Sequence, residues 1–374
     1  MLLAITTVLS ATLGALPPRS TILQDASKAN AYYIDHEDAK SFADHGWEKS
    51  TYMTGLMELY RATGQQKLLD YAFAWGKAGK WRLAGERREA PTTIDVSGPK
   101  PIKPHGVNDA DNEICAATYA ELYAYDPNPL YLEDAIAVLS KQINGTKTNY
   151  WSWVDAIHMG MNAYSRVGNA TGDDRFFEAM FRFYNVTANA GNPPDGINSF
   201  RMWNESVNLF YRDDRFLGTN IFWGRGNGWA ITALARSLEL LPAKPAFVAD
   251  REEYSSKLVA MAHTLKGIQS EDGCWRASLL NVSAYPQPET TGSANFVFGI
   301  AYGINSGLLP KAEFLPVVEK GWSCLSKIAL AADGLFGYCQ PVGGSPASTS
   351  PTQTSDFCVG QFLLAATQVA KISE

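Results

Sequence analysis

The segment Trp151-Ser-Trp-Val-Asp155 places an acidic side chain among aromatic ones at the start of a helical pattern. Apolar residues continue at helical spacing through Ile157 and Met161 to Tyr164. Indole rings pack against the apolar face of a sugar ring and exclude water, and loss of water favours a neutral carboxylic acid. The pattern therefore indicates acid chemistry on a sugar, with Asp155 as the candidate acid. The alternative is that Asp155 only caps the helix and that the tryptophans are core residues.

A second acidic cluster precedes another helical segment. Asp111 lies at the end of an apolar face shared with Cys115, Thr118 and Leu122. It is a candidate for a second carboxylate of the site, although Asp109 and Asp111 are also both suited to capping the helix.

The string Phe222-Trp-Gly-Arg-Gly-Asn-Gly-Trp229 is the most specific in the chain. Its three glycines allow the backbone and the Arg225 guanidinium to approach a ligand closely, with Trp223 and Trp229 as stacking walls. The glycine spacing does not follow a strand and lacks the dinucleotide-binding pattern, so a nucleotide cofactor is not expected.

Composition sets limits on the class of protein. The 374 residues are 46% hydrophobic and 19% charged, with a net charge of −6, which indicates a globular chain and argues against a nucleic-acid partner. Ten Trp, 17 Tyr and 17 Phe suit a carbohydrate site and equally a large helical core. The five histidines show no metal-ligand spacing, so neither a metal nor a cofactor is predicted.

The five cysteines are too scattered for a disulfide framework. Cys115 falls in a helical pattern and is predicted to be a buried free thiol. The other four allow three pairings, among which the sequence does not choose. They are Cys274, Cys324, Cys339 and Cys358.

The N-terminus is predicted to be a secretory signal peptide over residues 1–18, which leaves 19–374 as a single domain. Leu2 to Leu16 are apolar or small and end in Gly14-Ala15, although no basic residue precedes them. The alternative is a buried first helix. A membrane-spanning helix is not expected, because the span is too short to cross a membrane. Five N-x-S/T sequons fit a secreted, extracellular glycoprotein. They begin at Asn144, Asn169, Asn185, Asn204 and Asn281.

Helical segments recur in pairs joined by similar turns, which predicts an all-α array of about six helical hairpins. Glycine or proline ends one helix, and the next helix starts within a few residues. The array is either an open solenoid or a closed ring; a ring is favoured because the ligand-type clusters all lie near helix starts. The turns are Arg61–Gly64, Tyr125–Asn128, Ala170–Asp173, Leu241–Lys244 and Leu308–Lys311.

From about Trp47 to the C-terminus, the chain resembles the unsaturated uronyl hydrolases, glycoside hydrolase families 88 and 105, and most closely their rhamnogalacturonyl members. The resemblance rests chiefly on four strings, with weaker support from Glu289–Gly292 and Gly360–Leu364. The four are Trp47–Gly55, Asp111 with Thr118–Tyr123, Trp153–Asp155 with Met159, and Trp223–Trp229.

The resemblance implies an (α/α)6 barrel that acts on oligosaccharides left by polysaccharide lyases. Such enzymes hydrate the C4=C5 double bond of a 4-deoxy uronic acid at the non-reducing end. Their pattern implies Asp155 as general acid and base and Asp111 as the assisting carboxylate. The implied uronate subsite contains Arg225, Trp229, Trp47 and Trp153, and Trp223 is the further candidate for substrate binding as a stacking wall.

Two positions depart from the family pattern. Many members have a histidine in the region matching Leu209–Asp213, where this chain has Arg212. Asn112 replaces the second acid of the usual Asp-Asp pair, which leaves Asp111 as the candidate there.

Two other functions fit the same residues. One is an ordinary inverting glycosidase, in which two carboxylates about 6.5–9.5 Å apart act on a saturated sugar. The other is a sugar-binding or scaffold ring without catalysis. Neither a membrane partner nor a nucleic acid is expected, and the chain is predicted to be a monomer or homodimer.

Overall fold

The computed structural model describes residues 15–84, 109–189 and 201–373. The helices are α1 (Arg19–His36), α2 (Ala39–Ala43), α3 (Trp47–Thr63), α4 (Gln66–Ala78), α5 (Ala110–Glu113), α6 (Cys115–Tyr123), α7 (Glu133–Ile143), α8 (Val154–Thr171), α9 (Arg175–Asn189), α10 (Gly224–Leu240), α11 (Val248–Gly267), α12 (Thr290–Asn305), α13 (Lys311–Ser323) and α14 (Asp356–Ile372). Two short strands, β1 (Trp203–Asn204) and β2 (Leu209–Phe210), pair antiparallel. Short 3₁₀ helices span Pro129–Tyr131, Asp214–Phe216, Pro245–Phe247 and Val282–Ala284, and a π-helix spans Cys324–Ala329.

Six helices form a closed inner ring. Contacts run from α3 to α6, α8, α10, α12 and α14, and from α14 back to α3. After each of the first five inner helices, the chain continues into an outer helix, namely α4, α7, α9, α11 and α13. The sixth outer helix is α1, which packs on α14 and α3. The predicted (α/α)6 barrel is confirmed, and the open solenoid is wrong.

All five turns predicted from glycine and proline fall between an inner helix and the next outer one. Gly64 and Gly172 end α3 and α8 in the left-handed conformation, with φ of 65° and 68°. A residue with a Cβ is strained there, which explains glycine at both helix ends.

The inner helices are buried on all sides. In α10 every residue from Gly224 to Leu238 is buried, because the helix packs against α8, α12 and α11. A helix that is covered all round needs no polar face.

Buried ion pairs connect four inner helices near their C-terminal ends. Arg236 of α10 is fully buried and contacts Glu58 of α3 at 3.0 Å and Glu121 of α6 at 3.2 Å. Arg166 of α8 contacts Glu121 at 2.9 Å. Burial works to raise the pKa of Glu58, but Arg61 and Arg236 outweigh it and lower the pKa. Removal of one partner would leave a buried charge uncompensated, which is strongly destabilising.

The structure resolves the cysteine pairing that the sequence left open. Cys274 and Cys324 form a disulfide, whereas Cys115 is a buried free thiol as predicted. Cys339 and Cys358 are also free, and both sulfurs contact the hydroxyl of Thr291.

The proposed leader falls mostly outside the described residues, since the description starts at residue 15. The helix α1 begins at Arg19, directly after Pro18. No helix in the described part of the chain is both long and apolar enough to span a bilayer.

Ring closure depends on close backbone contact between α3 and α14. A Cβ on Gly55 would lie 2.1 Å from the carbonyl oxygen of Gly360. We therefore expect Gly55→Ala to lower the free energy of unfolding by about 3 kcal/mol, because the clash is with backbone that has no rotamer to change. Denaturant titration measures this value.

The matched control is Gly267→Ala at the end of α11, where a Cβ would meet nothing within 4 Å. It should leave stability unchanged or raise it. Equal stability of the two variants would show that the contact between α3 and α14 does not hold the ring closed.

Candidate active site

The N-terminal ends of the inner helices meet at one end of the ring. Glu48 at the start of α3 is close enough to Asp356 of α14 and to Arg225 of α10 for their charges to shift its pKa. The charges of Asp155 and Glu48 likewise act on Asp111 of α5. Helix N-termini carry partial positive charge and unpaired N–H groups, so this end of the barrel favours an anionic ligand.

Asp155 lies in the first turn of α8. The N-cap of this helix is Trp153, so the alternative in which Asp155 is the cap is wrong. Its side chain is 13% exposed. Burial raises the pKa of Asp155, while the charges of Arg212 and then Arg225 oppose the rise. The expected raised pKa is therefore confirmed, and its main cause is desolvation.

Among the described residues, the nearest cation to Asp155 is Arg212. Nε of Arg212 lies 3.3 Å from Oδ2 of Asp155, close enough for an ion pair but out of line for a hydrogen bond. Nη1 of the same guanidinium contacts Oδ2 of Asp213 at 2.6 Å. Arg215 also donates to Asp213, from Nε at 2.9 Å and from Nη2 at 2.7 Å. Arg212 is therefore shared between one firmly held carboxylate and the candidate acid.

Backbone contacts fix Arg212 beside Asp155. The amide side chain of Asn227 in α10 accepts from the N–H of Phe210 at 2.7 Å and donates to its carbonyl at 3.0 Å. This bond pair holds β2 on the start of α10. Two residues further on, the carbonyl of Arg212 accepts from the N–H of Val154 at 2.8 Å. This hydrogen bond joins the start of α8 directly to the backbone of Arg212.

Asp111, the second candidate acid, is half-buried. The N-cap of α5 is Asp109, whose side chain accepts from the N–H of Asp111 at 3.0 Å, so Asp111 itself is not the cap. Burial, and then the charges of Asp109 and Asp155, raise the pKa of Asp111 to about 7. Arg212 partly offsets this rise. The segment before Asp109, which includes His105, lies outside the described residues.

Arg225 is buried and bonded to backbone. Its Nη1 donates to the carbonyl of Gln340 at 2.6 Å, and its Nη2 donates to those of Pro341 at 3.0 Å and Gly343 at 3.3 Å. The guanidinium also stacks on Trp223 with 4.5 Å to the ring centre. These bonds make Arg225 an anchor for the loop 340–347, and its predicted fork to a sugar carboxylate stays a prediction.

The four predicted site tryptophans divide into two groups. Trp47 and Trp153 are half-buried, and Trp47 lies 4.9 Å from the ring of Phe357. Trp223 and Trp229 are fully buried, and Trp229 meets Trp47 edge to face at 6.5 Å. Only the first pair exposes surface in this structure, and ligand contact by any of the four stays a prediction.

One indole expected near Asp155 packs elsewhere. The ring of Trp151 contacts Tyr164 of α8 and Phe183 of α9. A Cβ on Gly160 would lie 2.1 Å from the same indole. Trp151 therefore belongs to the packing between α8 and α9, as the alternative interpretation of the tryptophans proposed.

Sequence reasoning missed three residues at this end of the barrel. Glu48 stands next to Trp47 in a string that was already recognised, and burial raises its pKa. Asp356 follows a polar loop and starts the last helix; burial raises its pKa to about 6. Gln340 accepts from Nε1 of Trp223 at 2.9 Å, but nothing in the sequence around it signals this role.

The residue types at the site are those of acid–base chemistry. No group of three His, Cys, Asp or Glu side chains that could bind a metal ion occurs within residues 15–84, 109–189 and 201–373. The arrangement offers two acids with raised pKa, a guanidinium that is partly exposed, and the positive ends of helices. It is suited to binding an anion and transferring a proton to it.

The profile of glycosyl hydrolase family 88 matches residues 24–373. The chain therefore belongs to this family and is a glycoside hydrolase. A solved structure of a glycosyl hydrolase family 88 protein from Bacteroides vulgatus is similar, with a TM-score of 0.83 and 31% identity. The alignment covers 95% of this chain and 99% of that one.

Two curated relatives are both named unsaturated 3S-rhamnoglycuronyl hydrolase. The protein from Formosa agariphila is 32% identical over 240 residues, which make up 61% of this chain and 60% of that protein. The match thus spans less than two thirds of the Formosa protein. The protein from Alteromonas sp. (strain LOR) is 28% identical over 342 residues, or 90% of this chain and 73% of that protein.

The two possible roles of Arg225 predict different effects of Arg225→Lys. If Arg225 anchors the loop 340–347, lysine loses most of its bonds to carbonyl groups. Since a hydrogen bond from a charged group contributes about 1.5–3 kcal/mol, amide exchange in the loop should become about tenfold faster or more. Hydrogen exchange read by mass spectrometry measures this.

Arg276→Lys is the control, because Arg276 pairs with Asp272 in another loop. It should leave exchange in 340–347 unchanged. If Arg225→Lys also leaves this exchange unchanged and only raises KM for a uronate substrate, Arg225 is the carboxylate fork and not the anchor.

Proposed function

We propose that this glycoside hydrolase hydrates the C4=C5 double bond of a 4-deoxy uronic acid at the non-reducing end of an oligosaccharide, and thereby releases that sugar. The observation that carries the proposal is the buried Asp155, with a raised pKa, held beside Arg212 where the inner helices converge. Proton donation to a carbon atom needs a neutral acid, and binding a uronate needs positive charge.

The relatives' names support a more specific substrate. Both curated relatives carry the name unsaturated 3S-rhamnoglycuronyl hydrolase, which combines rhamnose with an unsaturated uronyl group. We infer that rhamnose occupies the leaving-group subsite in this chain, and a sulfated rhamnose is the variant of this substrate to test beside it. This extends the expectation of rhamnogalacturonan-type substrates, which also place rhamnose next to the uronate.

Asp155 is the proton donor in the proposed reaction. Its proton adds to C4, and the positive charge that develops at C5 is shared with the ring oxygen. The ionised Asp155 then lies beside that cation and stabilises it, which is the kind of charge placement that lowers a barrier most.

Water completes the reaction. Asp155 takes a proton from the water that adds to C5, and Asp111 assists as the second carboxyl group. The resulting hemiketal opens and expels the rest of the oligosaccharide. No covalent bond between sugar and enzyme forms, so neither acid has to act as a nucleophile.

The two alternative functions differ in a measurable property. An inverting glycosidase would use the same two carboxyl groups on a saturated sugar and would leave any double bond intact. A sugar-binding ring would change no bond at all. Hydration alone removes the ultraviolet absorbance of the conjugated double bond.

The decisive assay follows this absorbance with unsaturated glucuronyl-rhamnose, with and without a 3-sulfate. We expect the wild-type protein to remove the absorbance, and Asp155→Asn to lose about 100-fold or more in turnover, as is typical for loss of a general acid. The asparagine variant should keep the fold and bind the sugar.

Asp250→Asn is the matched control. Asp250 is another buried acid at the start of a helix, and burial raises its pKa to about 6, but it lies in the outer helix α11. It should keep full turnover. Turnover of saturated glucuronyl-rhamnose with unchanged absorbance would establish the inverting glycosidase instead, and an active Asp155→Asn would remove Asp155 from the acid role.

We further propose that the protein is exported. The apolar leader over residues 1–18 and the disulfide between Cys274 and Cys324 support an oxidising destination. Two of the sequons, at Asn144 and Asn169, have exposed asparagines, which glycosylation requires.

In a eukaryotic host that secretes proteins, we expect the full chain in the medium with an N-terminus near Arg19. Asn144→Gln should lower the mass by one glycan, and removal of residues 1–18 should retain the protein in the cell. N-terminal sequencing and intact mass measure both. An intracellular product that starts at Met1 would show that the leader is instead part of the folded protein.

A further inference from the structure

The carboxyl group of Asp155 is under two opposing influences. Burial favours its neutral form, and the charge of Arg212 favours its ionised form. The contact between them is an ion pair at 3.3 Å, and within the described residues neither Nε of Arg212 nor Oδ2 of Asp155 makes a hydrogen bond of regular geometry. A buried charged group with an unmade hydrogen bond is poorly satisfied, so this pair is held weakly.

Two arginines of the described part of the chain act on Asp155, and they differ in their freedom to contact a ligand. Arg225 is 1% exposed and bonded to three carbonyls. The side chain of Arg212 is 21% exposed, and its Nη1 is held by Asp213. Burial works to raise the pKa of Asp213, but hydrogen bonds from Arg215 and Arg212 outweigh it and lower the pKa. Asp213 thus stays ionised and orients Arg212 without using its Nε.

We propose that Arg212 is a positioning residue that changes partner during binding: it pairs with Asp155 in the free enzyme, and the carboxylate of the bound uronate takes its place. The inference rests on the proposed function and deepens it, because it explains how an acid beside an arginine becomes a proton donor.

The charges and protons balance. In the proposed free state, Asp155 is ionised and pairs with the Arg212 cation. The uronate brings one negative charge, pairs with Arg212, and leaves Asp155 without its nearest cation among the described residues. Asp155 then takes one proton from solvent, so the bound state contains neutral Asp155 and the pair of uronate with Arg212. The proton that Asp155 takes up when the substrate binds is therefore the one that later adds to C4.

Other charged or titratable groups lie around Asp155 and Asp111, and their effects must be separated from those of Asp155 in any measurement. Two of them are arginines and stay charged at every working pH. Asp111 titrates near neutral pH, so it needs its own variant. Arg212 and Arg225 act on Asp155 directly, and Asp213 is bonded to Arg212. Asp109, Glu48 and Asp155 all act on Asp111. His158 lies one turn further along α8, where burial lowers its pKa well below the usual histidine value.

Calorimetric titration with methyl β-glucuronide, in two buffers of equal pH and different ionisation enthalpy, measures proton uptake on binding. We expect the wild-type protein to take up as much as about one proton in the pH range where free Asp155 is ionised. The neutral methyl β-glucoside should cause no uptake. Asp155→Asn should bind the glucuronide without uptake, whereas Asp111→Asn should retain it.

Arg212→Gln and Arg215→Gln form the matched pair. Arg215 also bonds to Asp213 but is 64% exposed at its side chain and does not contact Asp155. Arg212→Gln should abolish proton uptake, because Asp155 is then already neutral in the free protein. Arg215→Gln should leave uptake unchanged. Arg212→Lys, which keeps the positive charge, should retain part of the proton uptake.

Turnover of the unsaturated substrate gives an independent readout. The pH at which kcat falls on the alkaline side should be higher than the pH at which kcat/KM falls, since the first reports the bound state and the second the free one. Arg212→Gln should remove this difference. A merely structural arginine would lower activity and leave the difference intact.

The proposal is overturned if the wild-type protein binds glucuronide with no proton uptake at any pH tested, or if Asp155→Asn takes up as many protons as the wild type. Failure of the proposed function looks different, because the absorbance of the unsaturated substrate would then persist whatever the result of the titration.

Discussion

The central interaction is the contact between a buried acid and an arginine that does not fully satisfy it. Burial at Asp155 favours the neutral form, and Arg212 at 3.3 Å favours the ionised form. A carboxyl group balanced in this way changes protonation state in response to one nearby charge. The proposed chemistry needs this property, because the same group must donate a proton and then take one back.

The barrel creates these conditions by closing on itself. The six inner helices point their N-termini to one end, which provides positive potential for an anionic sugar. They are covered on all sides, so an acid in their first turn loses most of its water. Buried pairs such as Arg236 with Glu58 lie toward the opposite ends of these helices, and Asn227 ties β2, and hence Arg212, to the start of α10.

The sequence predicted those parts that depend on local chemistry. Glycine and proline marked five turns correctly, the family strings identified Asp155, and a helical pattern placed Cys115 in the core. Contacts between distant segments were not predictable. The sixth hairpin joins the two ends of the chain, and the pair of Asp155 with Arg212 depends on how β2 docks on α10. The sequence also could not show whether Trp151, Trp223 and Trp229 belong to the core or to the site, because aromatic residues suit a core and a sugar site equally well.

The protonation state of Asp155 itself is the most direct test. Carbon-13 labelling of aspartate carboxyl groups, with the signal assigned by its loss in Asp155→Asn, follows this one group by NMR as the pH is changed. The account predicts that the midpoint of its titration lies above the usual aspartate value in the free protein and rises further when glucuronide saturates the site. A midpoint at the ordinary value, or one that glucuronide leaves in place, would contradict it.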